Sequence, residues 1–196
     1  MATLAGRLAY EDLGDAASGR SYYNLAADSA READDHHAAA TALGYTAQLA
    51  HAEGMTTAAL NHLMAAFTHA EHAPTIVPWL ATIQATIHAD SGEHTAATHA
   101  LDRAQPKTSP PVTQSLSLID HSPAHVTAAT GHVHLQAGDH RAARAALTAA
   151  LDQLPSTARR ARILTFTDLA MTELRADNLT DACLSTAKLW SPLVAN

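Results

Sequence analysis

The chain is poor in the residues that most often announce chemistry. One cysteine, Cys183, in 196 residues excludes an intrachain disulfide and a cysteine-based metal cluster. Aromatic residues make up 4% against 47% hydrophobic residues overall. The core must therefore be built mainly from Ala and Leu, which favours closely packed helices over a sandwich or barrel. Lys and Arg number 12 against 19 Asp and Glu, a net charge of -7 with His neutral. That balance opposes binding to a polyanion, whose phosphates require Lys and Arg, so no nucleic acid is expected as a partner. No run approaches the ~18 apolar residues of a membrane span. The opening MATLAGRLAYEDLGD has no basic region followed by an apolar stretch, so no signal peptide and a cytoplasmic location are expected. HExxH, GxSxG, GxGxxG and the phosphate loop are all missing. No catalytic residue, cofactor or metal is assigned.

What is present is a repeating helical hairpin. Its clearest copy is His125 to Pro155, HVTAATGHVHLQAGDHRAARAALTAALDQLP. Gly138 suits the left-handed position past a helix C-terminus, and Asp139 suits the N-terminus of the next helix. Turn markers recur at Gly14-Asp15, Gly54-Met55, Gly92-Glu93, Gly138-Asp139 and Asp177-Asn178, spaced by 40, 38, 46 and 39 residues. Five residues after each marker lie Gly19, Ala59, Ala97, Ala143 and Ala182; nine after lie Tyr23, Leu63, Leu101, Leu147 and Thr186. Seven before lie Arg7, Ala47, Ala85, Gly131 and Ala170. Helices approach closely only where side chains are small, so Arg7 is out of place and makes the first unit an imperfect cap. These offsets resemble those of the tetratricopeptide repeat. The resemblance implies an all-α right-handed α-solenoid of about five hairpins, each burying its apolar face on its neighbours.

The periodicity predicts helices at 2–13, 16–32, 36–53, 56–72, 75–91, 94–104, 123–137, 140–153, 156–176 and 179–191. Pro78 falls at the first turn of a helix or at a kink. Gln105 to Ala124 carries Pro106, Pro110, Pro111 and Pro123 and reads as a loop: a surface connection, a linker between halves, or a lid. One continuous domain results, with repeats one to three in 1–104, the Pro-rich loop in 105–124 and repeats four and five in 125–196.

LQAGDHRAARAALTAALDQL and ARRARILTFTDLAMTELRADNLTDACLSTAKL, with the earlier LAYEDLGDAASGRSYYNLAADSAREADD and LGYTAQLAHAEG, resemble the tetratricopeptide-like half of actinobacterial helix-turn-helix transcription regulators of the XRE type. Such regulators join a DNA-binding domain to a helical-repeat sensor and dimerisation domain. This chain is expected to begin near its first repeat, without the DNA-binding half. The resemblance implies a concave face lined by first helices, with His51, Trp79, Thr82, Thr86, Asp90, His125, His132, Gln136 and Met171 as ligand-binding residues. Thr41 and Arg175 share those offsets. The Lys and Asn set with which some relatives clamp a peptide carboxylate is missing. The expected function is a non-enzymatic, regulatory sensor or interaction module that binds a peptide, protein or small molecule, as a homodimer if the dimerisation role carries over. The alternative is a small-molecule biosynthetic enzyme or ligand-handling protein using groove His and Asp as acid and base. Ligand binding is expected to vary between about pH 5.5 and 7.5, around the ordinary histidine value.

Fourteen histidines remain to be placed. His62, His69 and His72 fall on one helix face, but His62 and His69 stand roughly 10 Å apart along the axis, too far to share an ion; a solvated face is expected. His69 and His72 with Glu71 are the weaker metal alternative. His88 and His134 replace the Tyr of the repeat and read as packing residues. Cys183 reads as a buried thiol, and Arg159, Arg160 and Arg162 as a solvated or partner-contacting basic cluster.

Overall fold

The structure, a computed structural model, describes residues 1–105 and 123–194, with side chains as far as residue 187. Among these residues the chain is helical throughout, with no strand. The α-helices are α1 (Ala2–Arg7), α2 (Ala16–Glu32), α3 (His36–Ala52), α4 (Thr56–Ala70), α5 (Val77–Asp90), α6 (His94–Ala104), α7 (Pro123–Gln136), α8 (His140–Gln153), α9 (Arg159–Arg175) and α10 (Leu179–Val194). Packing follows chain order: α1 on α2, α2 on α3, α3 on α4, then α7 on α8, α8 on α9 and α9 on α10, with α7 also meeting α9. No described helix is long and apolar enough to cross a membrane. The described residues form two compact units, one of Met1–Ile87 with 103–105, the other of 88–102 with 123–194. Most of the Pro-rich segment, 106–122, lies outside the described residues.

Each marked turn is closed by a left-handed residue: Gly14 (φ 69°), Gly54 (77°), Gly92 (76°), Gly138 (79°) and Asp177 (57°). The last four share one closure. At Gly138, its N–H donates to the Leu135 carbonyl at 3.2 Å and the Asp139 N–H to His134 at 3.0 Å. That pattern satisfies carbonyls that the helix end leaves open. Asp15, Asp35 and Asp139 then start α2, α3 and α8, each carboxylate accepting a backbone N–H three residues on, at 2.9–3.0 Å. Pro78 sits in the first turn of α5, where its missing N–H costs nothing.

The first unit corrects the sequence register. A single helix over 2–13 is expected, but after α1 the chain forms a π-helical turn, Leu8–Asp12, closed by the Leu13 N–H on the Leu8 carbonyl at 3.2 Å. A π turn spends one extra residue. The small residue facing the partner helix is therefore Gly6, eight before the marker. A Cβ on Gly6 would lie 2.5 Å from the Tyr23 ring, so Arg7 is not the packing position. The core continues through Tyr45 and Leu49 beside Tyr23, and through Ala47, Ala59, Leu63, Ala66, Ile76, Leu80, Ile83 and Ile87. Small residues on one helix admit large ones from the next, which is how an Ala-rich chain reaches close packing.

In the second unit Gly131 plays the same part. A Cβ there would lie 2.5 Å from Leu147 Cγ, and Leu147 is fully buried. Glu173, buried on α9, is gripped by the Arg144 guanidinium from α8 through Nε and Nη2 and also accepts Asn178 Nδ2 at 3.2 Å. The basic cluster is not a uniform solvated face: Arg162 donates to the Leu151 and Leu154 carbonyls at 3.0 and 3.1 Å, covering the open C-terminus of α8. Cys183 is exposed, contrary to expectation. Ala182 takes the buried position, and one residue further turns about 100° around the helix. Thr186, expected in the Leu place, is likewise exposed.

Candidate functional site

Within the second unit, the last residues of α5 join α7 and α9 in bringing a set of polar side chains together. Asp90 stands at the end of α5, two residues before Gly92. His132 and Gln136 lie one turn apart on α7, and Asp168 and Arg175 two turns apart on α9. Helical spacing keeps each pair on one face. His132 is held on both ring nitrogens: Nε2 is 2.8 Å from Asp90 Oδ1 and Nδ1 is 3.1 Å from Asp168 Oδ2. Gln136 Nε2 donates to the same Asp90 oxygen at 2.8 Å, and Gln136 Oε1 accepts Arg175 Nη1 at 3.2 Å. Asp90, Gln136 and Arg175 each precede their turn marker by two residues. Side chains at one repeat offset are thus joined in series across α5, α7 and α9.

The electrostatics follow from this packing. Only 17% of the His132 side chain is exposed, and its two carboxylates are 29% and 27% exposed. Burial by itself disfavours the imidazolium, but hydrogen bonds to Asp168 and Asp90 and their negative charges outweigh it, raising His132 to about 9. An imidazolium has an N–H on each side, so it satisfies both carboxylates. The flanking charges thus hold His132 above the ordinary histidine value.

Of the nine expected ligand-binding residues, Asp90, His132 and Gln136 meet in this network. Met171 is exposed on α9, three residues after Asp168. His125 is half-buried on α7, about two turns before His132. His51, Trp79, Thr82 and Thr86 belong to the first unit. There Trp79 is a packing residue: its ring lies against Gly44, where a Cβ would clash, and 5.0 Å from the Tyr45 ring. Thr82 Oγ1 donates to the Trp79 carbonyl at 2.7 Å and Thr86 Oγ1 to the Thr82 carbonyl at 3.2 Å, so both hydroxyls turn onto their own helix. His51 is half-buried on α3. Thr41 is buried and donates to the His37 carbonyl, and so lines no open surface. Asp168 was not among the expected residues, although it lies seven before Arg175 and therefore on the same helix face. That spacing was the available signal.

The other histidines divide. His88 and His134 are half-buried, as packing positions should be, with His88 Nδ1 2.6 Å from Glu93 Oε2. His72 lies beyond the end of α4 at Ala70, so it does not continue one face with His62 and His69. Instead His36 of α3 meets His69 and His72: its Nδ1 is 3.1 Å from His69 Nδ1, and its ring stacks on His72. Burial lowers the pKa of His62; burial and then the charges of His36, Arg31 and His72 lower that of His69. Among the described residues no group of three or more His, Cys, Asp and Glu is placed to hold a metal ion. No protein-family model matches the chain, and neither curated proteins nor solved structures give a significant match.

Proposed function

We propose that the chain is a right-handed stack of five tetratricopeptide-like hairpins serving as a non-enzymatic interaction or sensor module, with its binding surface on the first helices of the hairpins. The observation that carries this reading is the series Asp90–Gln136–Arg175, in which equal repeat offsets on α5, α7 and α9 are hydrogen-bonded in order. Such register is what a stack of hairpins requires if it is to present one continuous face. The recurrent turn closure and the chain-order packing support the same architecture. The surface offers a charged, locked polar network beside the exposed apolar side chains Leu164, Met171 and Leu174 of α9, a mixture suited to an amphipathic peptide or a small molecule. The likeness to the sensor half of helix-turn-helix regulators favours a regulatory role, and the net charge of -7 favours a protein or small-molecule partner over DNA.

The enzymatic alternative is weaker at this site. A general base needs a free ring nitrogen within reach of substrate, and both nitrogens of His132 face carboxylates.

The test is a displayed-peptide and small-molecule screen against the intact chain, followed by affinity measurements with Met171→Ala, Leu164→Ala and Gln136→Ala. Binders that lose affinity with these substitutions, while helicity persists, are expected. Binders indifferent to all three place the surface elsewhere, and a screen without binders overturns the reading.

A further inference from the structure

We infer that His36 and His69 form a two-imidazole site for a divalent transition-metal ion of the kind imidazole prefers, Zn(II), Ni(II) or Cu(II). Their Nδ1 atoms face each other at 3.1 Å. Without metal, one proton between them makes a hydrogen bond. With metal, two nitrogens bound at about 2.0–2.1 Å stand roughly 2.9–3.4 Å apart, from octahedral to tetrahedral bond angles. The observed separation falls inside that range, so an ion seated to one side of the line between the two nitrogens reaches both once the rings turn to converge on it.

The two ligands meet at the open end of the α3–α4 hairpin. His36 is the first residue of α3 and His69 lies in the last turn of α4. The carbonyl end of α4 attracts a cation and offsets the N-terminus of α3. Arg31, the nearby positive charge felt by His69, is paired with Asp28. Asp34, in the left-handed turn before α3 (φ 54°), places Oδ1 3.6 Å from His36 Nε2. That carboxylate adds a negative charge close to the ring of His36, which favours a cation bound there. His72 stacks on His36 with ring centroids 4.3 Å apart and planes 17° apart. It presents its face to that ring, which makes it a positioning residue that limits rotation of His36. Water completes the coordination, so the ion is exchangeable, unlike the closed four-ligand zinc of structural sites.

Fourteen histidines give a weak background for any metal, so the test compares variants. The metal-stripped full chain is titrated with Ni(II) chloride by calorimetry at neutral pH, with circular dichroism alongside. His36→Ala and His69→Ala are each expected to weaken the tightest site at least about tenfold. His72→Ala should weaken it less, and His62→Ala should leave it unchanged. In parallel, the electron-paramagnetic-resonance spectrum of the wild-type chain with one equivalent of Cu(II) should show two imidazole nitrogens, reduced to one by either substitution. Equal affinity in wild type and the His36→Ala/His69→Ala double variant, or a copper spectrum unchanged by both substitutions, overturns the inference.

Discussion

His132 and Asp168 are 36 residues apart in sequence and 3.1 Å apart in space, and the contact ties α7 to α9 by charge as well as packing. With Asp90 on its other nitrogen, His132 connects the end of α5 with α7 and α9. A partly buried polar network of this kind is most stabilising while every member is satisfied.

The first prediction concerns pH. His132 has a folded-state pKa of about 9 against an ordinary 6.5. A raised folded value means that the stabilisation is complete below about 6.5, declines through the interval, and is gone above about 9. His132→Gln should therefore cost on the order of 2–3 kcal/mol near pH 6 and progressively less towards pH 10. Urea denaturation of both chains across that range measures it. A difference that grows with pH contradicts the assignment.

Gly131→Ala should destabilise by about 1–3 kcal/mol, because the new methyl meets Leu147 in a filled interior. Gly138→Ala has open space around it but a φ of 79°, so its cost is backbone strain of roughly 1–2 kcal/mol. Pairing each with Leu147→Ala separates the two causes. The cost of Gly131→Ala should shrink in that background and the cost of Gly138→Ala should not, as read from chemical-denaturation midpoints.

The two interhelical Arg–Glu pairs should differ in worth. Arg20 bonds both carboxylate oxygens of Glu53 in a largely exposed setting, so Arg20→Ala is expected to cost about 0–1 kcal/mol. Arg144 holds the buried Glu173, and its loss leaves a carboxylate without its countercharge. Arg144 is itself 45% exposed, which tempers the full penalty of a broken buried pair to roughly 2 kcal/mol. Comparable Tm losses in the two variants would show that burial of Glu173 does not govern the difference.

Trp79→Ala should lower stability by about 2–4 kcal/mol, near the lower end for removal of an aromatic side chain because the ring is only partly buried. Trp79→Phe should recover part of the loss through contact with Tyr45. If Trp79→Ala leaves the thermal midpoint unchanged, the ring is not needed for packing over Gly44 and is free to meet a ligand.

Much of the local structure was legible in the chain. Gly14, Gly54, Gly92, Gly138 and Asp177 were readable as helix stops because few other residues tolerate a left-handed backbone, and all five adopt it. Asp15 and Asp139 were readable as helix starts because a short carboxylate reaches the free N–H groups. Local rules failed where one residue changed the register. The π turn at Leu8–Asp12 handed the packing role from Arg7 to Gly6, and no repeat offset announces an extra residue inside a helix. Cys183 shows the same limit, since one step along a helix separates the buried Ala182 from its exposed side chain.

By itself, the sequence determined what depends on nearby residues: the helices, their stops, and the small positions where helices meet. The pairing of His132 with Asp90 and Asp168, and of His36 with His69, was decided only when separate helices came together. A histidine's charge and partners depend on the groups around it in space, and those groups stand 33–42 residues away along the chain.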